Sequence, residues 1–239
     1  MGRVKIAKKS TFIDMTAMSD VTVLLLTFFM LTSTFLQKEP TTVITPASVS
    51  EQKVQDTNVV QVLVSPEGKV WLTMNNDTAQ AYSNEAMRKE LLQTVAEEYN
   101  KTHKQNPIKL TEQDLTAFSK LNSFGVPMKD LKEFLSLYSQ PEGLNKMDKW
   151  LAGEDPQHTT GIPISWNQDI SKPNEFQMWM LAMRKTNNDN LKQAILKGTG
   201  VAIKADQNTS YETIHMVMDN LQTINMNKFT LLTALKAAE

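Results

Sequence analysis

The chain has 239 residues, a formal net charge of −1 and no cysteine. Disulfides, Cys-ligated zinc, thiol catalysis and a lipidated cysteine are therefore excluded, and the lack of a massed basic face argues against nucleic acid as a partner. The length suits one sizeable domain plus a tail, or two small domains.

Arg3, Lys5, Lys8 and Lys9 lead the chain with no acid among them, and the apolar run MTAMSDVTVLLLTFFMLTSTFLQK follows over residues 15–38. By the positive-inside rule the basic end stays cytoplasmic and everything after about Gln37 is exported. The uncharged stretch 21–36, joined by Thr16 to Ser19, reaches the roughly 20 residues of a membrane span. That is longer than a signal-peptide core, and Phe35-Leu36-Gln37-Lys38 offers no small-x-small cleavage site. The expectation is a cytoplasmic tail over 1–15 and a transmembrane helix over 16–37, which makes the chain a single-pass membrane protein.

Asp20 is the lone acid of that run. An ionised carboxylate in hydrocarbon costs about 2.5–3.5 kcal/mol on insertion scales. Asp20, Thr27 and Thr34 fall seven apart, with Thr16 one turn earlier, and a seven-residue repeat drifts only about 20° per heptad, so they share one helix face. Lipid would not select a polar face, whereas a partner helix would. Two readings of Asp20 stay open: a protonatable group on a packed face, or part of a Ser19-Asp20 N-cap at the water interface. Threonines such as Thr22 and Thr32 can also bond their own backbone, and Thr27 and Thr34 either line a proton path or pack.

Residues 38–58 are rich in Thr, Ser, Pro and Gln and read as a flexible exported tether, although TTVITPASVS has the make-up of a short strand on another surface. An exported domain is expected over 59–239, periplasmic by the family resemblance described below. VVQVLVSPEGKVWLTMN alternates, turns at Pro66-Glu67-Gly68 and resumes, as a hairpin does. SNEAMRKELLQTVAEEYNK is an amphipathic helix carrying Met87, Leu91, Val95 and Tyr99. Val201, Ile203 and Ala205 alternate as a strand, Tyr211 to Ile224 form a helical stripe, and KFTLLTAL reads as a final strand. The fold class expected is α+β: a single N-terminal transmembrane helix, a flexible tether and a small two-layer α/β domain.

Between these halves, about 106–197, lies a helical insertion. LTEQDLTAFSKLNS, PMKDLKEFLSLYS, EGLNKMDKWLAG and NEFQMWMLAMRKTNNDNLKQAILKG are its helical patterns. Trp150, Trp166 and Trp179 fall within it and read as core. Removing the insertion is expected to leave a folded domain that has lost its particular client. His103, His158 and His215 lack metal-ligand spacing, and Gly198-Thr-Gly200 lacks a phosphate-loop context. No nucleophile grouping stands out, so neither an enzyme nor a cofactor is expected.

FIDMTAMSDVTVLLLTFFMLTSTF resembles the N-terminal signature of the ExbD/TolR family: an Asn/Asp-x-Thr-Pro segment, a membrane Asp, then a Leu/Val/Phe-rich helix. Asp14, Thr16 and Asp20 fall at matching places, while Ala17 stands where many members have proline. GVAIKADQNTSYETIHMVMDNLQTINMNKFTLLTA is similar to the family's C-terminal unit, through Ala205-Asp206, Tyr211, Met218-Asp219 and Leu221. The likeness covers 1–100 loosely and 199–239 closely. It implies a subunit of an inner-membrane proton-channel motor that energises a TonB-like transducer for outer-membrane transport. Asp20 would be the proton-binding carboxylate, with protons as the coupling ion. The partners implied are a second copy, ExbB-like multi-span membrane subunits and a TonB-like transducer, with peptidoglycan as a further candidate. The alternative is a bitopic envelope scaffold of Tol or gliding type whose periplasmic domain binds cell wall or a partner protein; a secreted domain released from a signal peptide is a third.

Overall fold

The computed structural model of the chain describes residues 15–32, 39–48, 57–75, 84–104 and 106–235. The chain divides into two compact units, Met1–Lys38 and Glu39–Glu239. In the first, helix α1 occupies Thr16–Thr32, a run that neither Gly nor Pro interrupts. Its 17 residues extend about 25 Å at 1.5 Å per residue, short of the roughly 30 Å of a bilayer's hydrocarbon core. Among the described residues no helix is long and apolar enough to cross a membrane. The expected transmembrane helix over 16–37 is corrected accordingly, and with it the single-pass topology and inner-membrane localisation that were built on it. Arg3 to Lys9, Asp14 and Thr34 lie outside the described residues.

In the second unit, strand β1 (Ala47–Ser48) comes first. Strands β2 (Val59–Val64) and β3 (Val70–Asn75) then form the expected antiparallel hairpin. Its turn closes through the Gly68 N–H on the Ser65 carbonyl (2.9 Å), and Gly68 has a φ of +78°, which L side chains rarely adopt. Helix α2 spans Asn84–Thr102 and α3 spans Glu112–Ser119, started by a Thr111–Asp114 capping box. Strand β4 is Ser123–Phe124 and α4 is Met128–Ser136. Pro127 supplies no side-chain cap to α4; the Met128 N–H instead donates to Glu175 Oε2 at 2.8 Å. Helix α5 covers Gly143–Ala152 and stops at Gly153, whose φ is +75°. Helices α6 (Glu175–Lys185) and α7 (Asp189–Lys197) replace the single helical pattern read there. Thr186 turns extended and the Asn188 side chain accepts the Asn190 and Leu191 N–H groups, restarting the helix.

Strand β5 (Val201–Ala205), helix α8 (Tyr211–Thr223) and strands β6 (Thr230–Leu231) and β7 (Ala234–Leu235) complete the chain. The main sheet has the order β4-β3-β2-β5-β6. β5 lies parallel to β2, with Val60 opposite Val201 and Val64 opposite Ala205, and β6 lies parallel to β5. β7 pairs in parallel with β1, so the expected final strand is two short ones serving different partners. Residues 39–48 of the expected tether therefore lie on the domain: Val43 is buried, and Lys204 binds Glu39 at 2.6 Å.

Neighbouring strand residues point to opposite faces. On the face of Leu72 and its partner Phe124, Phe124 meets Trp179 of α6 at 4.5 Å between centroids and Phe118 of α3 at 5.0 Å. On the other face the Trp71 indole N–H donates to the Leu151 carbonyl of α5 at 3.1 Å. α5 reaches this face at Trp71, while Gln61, Thr73 and Lys204 on the same face stay part-exposed. Trp71, Trp150 and Trp179 are fully buried in the same core as β2, β3 and β5, whereas Trp166, read as core, is 46% exposed.

The helical segment is tied to the C-terminal unit by polar contacts as well. Asn174 Nδ2 donates to Asn220 Oδ1 of α8 (2.7 Å), and Asn220 Nδ2 donates to the Ser165 carbonyl (2.9 Å). Arg88 of α2 is buried and donates to the Met74 and Ser119 carbonyls. The segment 106–197 is consequently part of the core, not a detachable module. Trp179→Ala should cost about 3–5 kcal/mol of stability, as for large buried aromatics, measured by urea titration of the second unit within the full chain. A loss under about 1 kcal/mol would place α6 outside the core.

Candidate functional site

α1 carries the residues that the sequence singled out. Asp20 lies one turn inside the helix, and no acid occupies the first turn. Ser19 is helical as well: its N–H and its hydroxyl both reach the Met15 carbonyl at 2.9 Å. Ser19-Asp20 is therefore not an N-cap, because both residues already have helical backbone.

Polar groups on α1 are turned inward onto their own chain. The Thr22, Thr27 and Thr32 hydroxyls donate to the Met18, Leu24 and Phe28 carbonyls at 2.7, 2.9 and 2.8 Å. Such bonding leaves the hydroxyls satisfied in apolar surroundings. Around them the large side chains are bare: Val21, Leu24 and Phe28 are more than half exposed, and Leu31 is 87% exposed. A continuous apolar surface of this kind marks an interaction site. Heptad spacing brings Thr16, Asp20 and Thr27 to one face of it; Thr34, the next in the series, lies outside the described residues. Asp20 is the only charged side chain on α1.

In the second unit Asp206 of the C-terminal motif organises one corner. Asp206 ends β5, and its carboxylate accepts the Ile44 N–H (2.8 Å) and the Asn208 N–H (2.9 Å). The Ile44 carbonyl in turn accepts the Gln207 N–H at 2.8 Å. Thr209 Oγ1 donates to the Ser65 carbonyl at 3.1 Å, fixing the hairpin turn to the same corner. Hydrogen bonds from the Asn208 and Ile44 amides hold the Asp206 carboxyl below its ordinary range. Asp206 thus anchors the segment 39–48, a role that no local pattern announces, because its partner is 162 residues away. Tyr211 is exposed, with His215 beside it at 5.8 Å and Trp166 5.3 Å from His215. Leu221 is buried, and Asp219 accepts the Thr223 hydroxyl on its main-chain carbonyl.

The histidines do not meet. His103 stacks on Tyr99, and His158 stacks on Trp150. Among the described residues no group of three His, Cys, Asp or Glu is placed to hold a metal ion.

Residues 7–123 match the family model described as Biopolymer transport protein ExbD/TolR. No curated protein and no solved structure matches the chain. The matched stretch includes α1, the docked segment, the hairpin, α2 and α3, and it ends at the first residue of β4. The C-terminal motif of 199–239, quoted as the closer likeness, lies beyond it.

Asp206→Ala should release residues 39–48. Amide exchange at Ile44 and Asn208 is expected to rise several-fold while the core strands keep their protection. Since the Asp206 carboxyl is depressed from 3.8, the wild-type protection should be complete above that value and lost as pH falls through the lower folded one. Unchanged exchange at Ile44 in the variant would refute the anchoring role.

Proposed function

We propose that this chain, which over residues 7–123 belongs to the ExbD/TolR family of biopolymer transport proteins, couples proton movement to work on a TonB-like transducer. Members of the family are not enzymes, and neither is this chain. Its role is to take up and release a proton and pass the resulting change to a partner.

The observation that carries this reading is α1: one carboxylate, Asp20, on an otherwise bare apolar helix whose Thr22, Thr27 and Thr32 hydroxyls are consumed by their own backbone. In water such a surface is costly, at about 25 cal/mol per Å², and packing against apolar helices removes the cost. ExbB-like multi-span subunits and a second α1 are the covers proposed. Once covered, the carboxyl sits in low-dielectric surroundings that disfavour its charge, so protonation and ionisation of Asp20 change how well the helix packs. Uptake or loss of one proton moves the covered carboxyl between a neutral form that packs well and a charged form that does not. The proton gradient can therefore bias which form is present. Thr16 and Thr27 line the same face, and the inward hydroxyl of Thr27 favours packing over a place in the proton path.

Asp20→Asn keeps the shape and removes the titration. It is expected to leave the complex with ExbB-like subunits assembled and to abolish energy-dependent uptake through the outer membrane. Uptake at the wild-type rate in Asp20→Asn would defeat the proposal, and so would loss of assembly together with full uptake by the remaining partners.

A further inference from the structure

His158 lies in the loop 153–162, between α5 and the return of the chain to the sheet. Its Nδ1 is 2.8 Å from Asp155 Oδ2 in the same loop, and its Nε2 is 3.5 Å from Glu133 Oε1 on α4. The ring stacks on Trp150 of α5, with centroids 3.8 Å apart and planes at 24°. A neutral imidazole has a single N–H, so only the imidazolium offers a proton to both carboxylates. A cation over an indole face adds further attraction.

That loop is what closes the sheet beside β3. The Trp150 indole N–H donates to the Thr159 carbonyl (3.1 Å), and Thr160 Oγ1 donates to the Trp150 carbonyl (2.8 Å). Beyond them the Gly161 N–H reaches the Gly125 carbonyl and the Ile162 N–H reaches the Val70 carbonyl, both at 2.8 Å. The ring therefore stands at the root of a strip that carries two backbone bonds onto the sheet edge.

We propose that His158 is a pH-sensitive clamp which, when protonated, holds the loop 153–162 on α4, α5 and the sheet edge, and which loosens that loop when neutral. The charged groups facing the ring are Asp155 and Glu133; Lys69, from the hairpin turn, lies against the start of the loop at Gly153. The hydrogen bond to Asp155, with Glu133 adding to it, raises the His158 pKa above 6.5. The clamp is then fully closed below 6.5 and opens as pH rises through the raised folded value. Sequence reading left this histidine without a role, because Asp155, Glu133 and Trp150 come together only through the packing of α4 against α5. The clamp stands on contacts within the second unit and is independent of the role proposed for Asp20.

Hydrogen exchange on the full chain at about pH 6 and about pH 8, corrected for intrinsic rates, tests the clamp across the histidine range. Protection at Gly161 and Ile162 should fall several-fold at the higher pH in the wild type. In His158→Gln it should be at the lower level at both. Equal wild-type protection at the two values, or a pH response that survives in His158→Gln, would overturn the clamp. If His158→Gln does not fold, Glu133→Gln serves, since Glu133 is exposed on α4. It should lower the titration midpoint of the His158 ring signals, and an unchanged midpoint counts against the proposal.

Discussion

The parallel pairing of β2 with β5 is the constraint from which the second unit follows. Antiparallel strands can be joined by a tight turn, but parallel strands need a long crossover. β2 already spends one edge on β3, so its other edge must wait for a strand that begins at Val201. Everything between, from α2 to α7, is the path of that crossover and has to pack as it goes. β4 pairs at the edge beside β3, α3 and α6 settle over the face of Leu72, and α5 settles against Trp71 on the opposite face. Without β5 the row Val60, Val62, Val64 would be left at a bare edge, the arrangement that invites pairing with other chains. The family-matched residues 7–123 therefore do not complete their own sheet; the C-terminal segment completes it for them.

That dependence explains which features are readable from the sequence. The hairpin, α2, α8 and the capping of α3 rest on local signals: alternation around a Gly68 turn, apolar spacing, and an oxygen three residues before an acid. β4 and β7 are two residues long and have no period to read, and each exists only because a partner strand is already in place. The break between α6 and α7 was hidden by an apolar stripe that runs through it, although the Asn-rich stretch at Asn187 and Asn188 was the available clue. Residues 39–48 have the composition of a linker, and what docks them is a carboxylate contributed from the far end of the chain. Trp166 shares its segment with Trp150, yet its side chain reaches the surface beside His215.

At the candidate site the sequence is informative in a different way. It identifies Asp20 as the lone carboxylate of an apolar run and places Thr16 and Thr27 on its face, and the helical backbone of Ser19 and Asp20 removes the capping alternative. Among the described residues α1 covers Thr16–Thr32 of the apolar run, and no helix is long and apolar enough to cross a membrane. A helix with apolar residues all round and one acid is incomplete as an isolated object. Its energetics make sense in the company of other helices, where buried surface offsets the cost of the carboxylate and where that cost becomes sensitive to a proton.

Infrared difference spectroscopy on the chain purified with its ExbB-like partner, while a proton gradient is imposed, addresses the role of Asp20 directly. The account predicts a carboxylic-acid C=O band that follows the gradient, shifts in deuterated water, disappears in Asp20→Asn and persists when Asp206 or Glu133 is replaced. A spectrum without such a band, or with one that survives in Asp20→Asn, would contradict it.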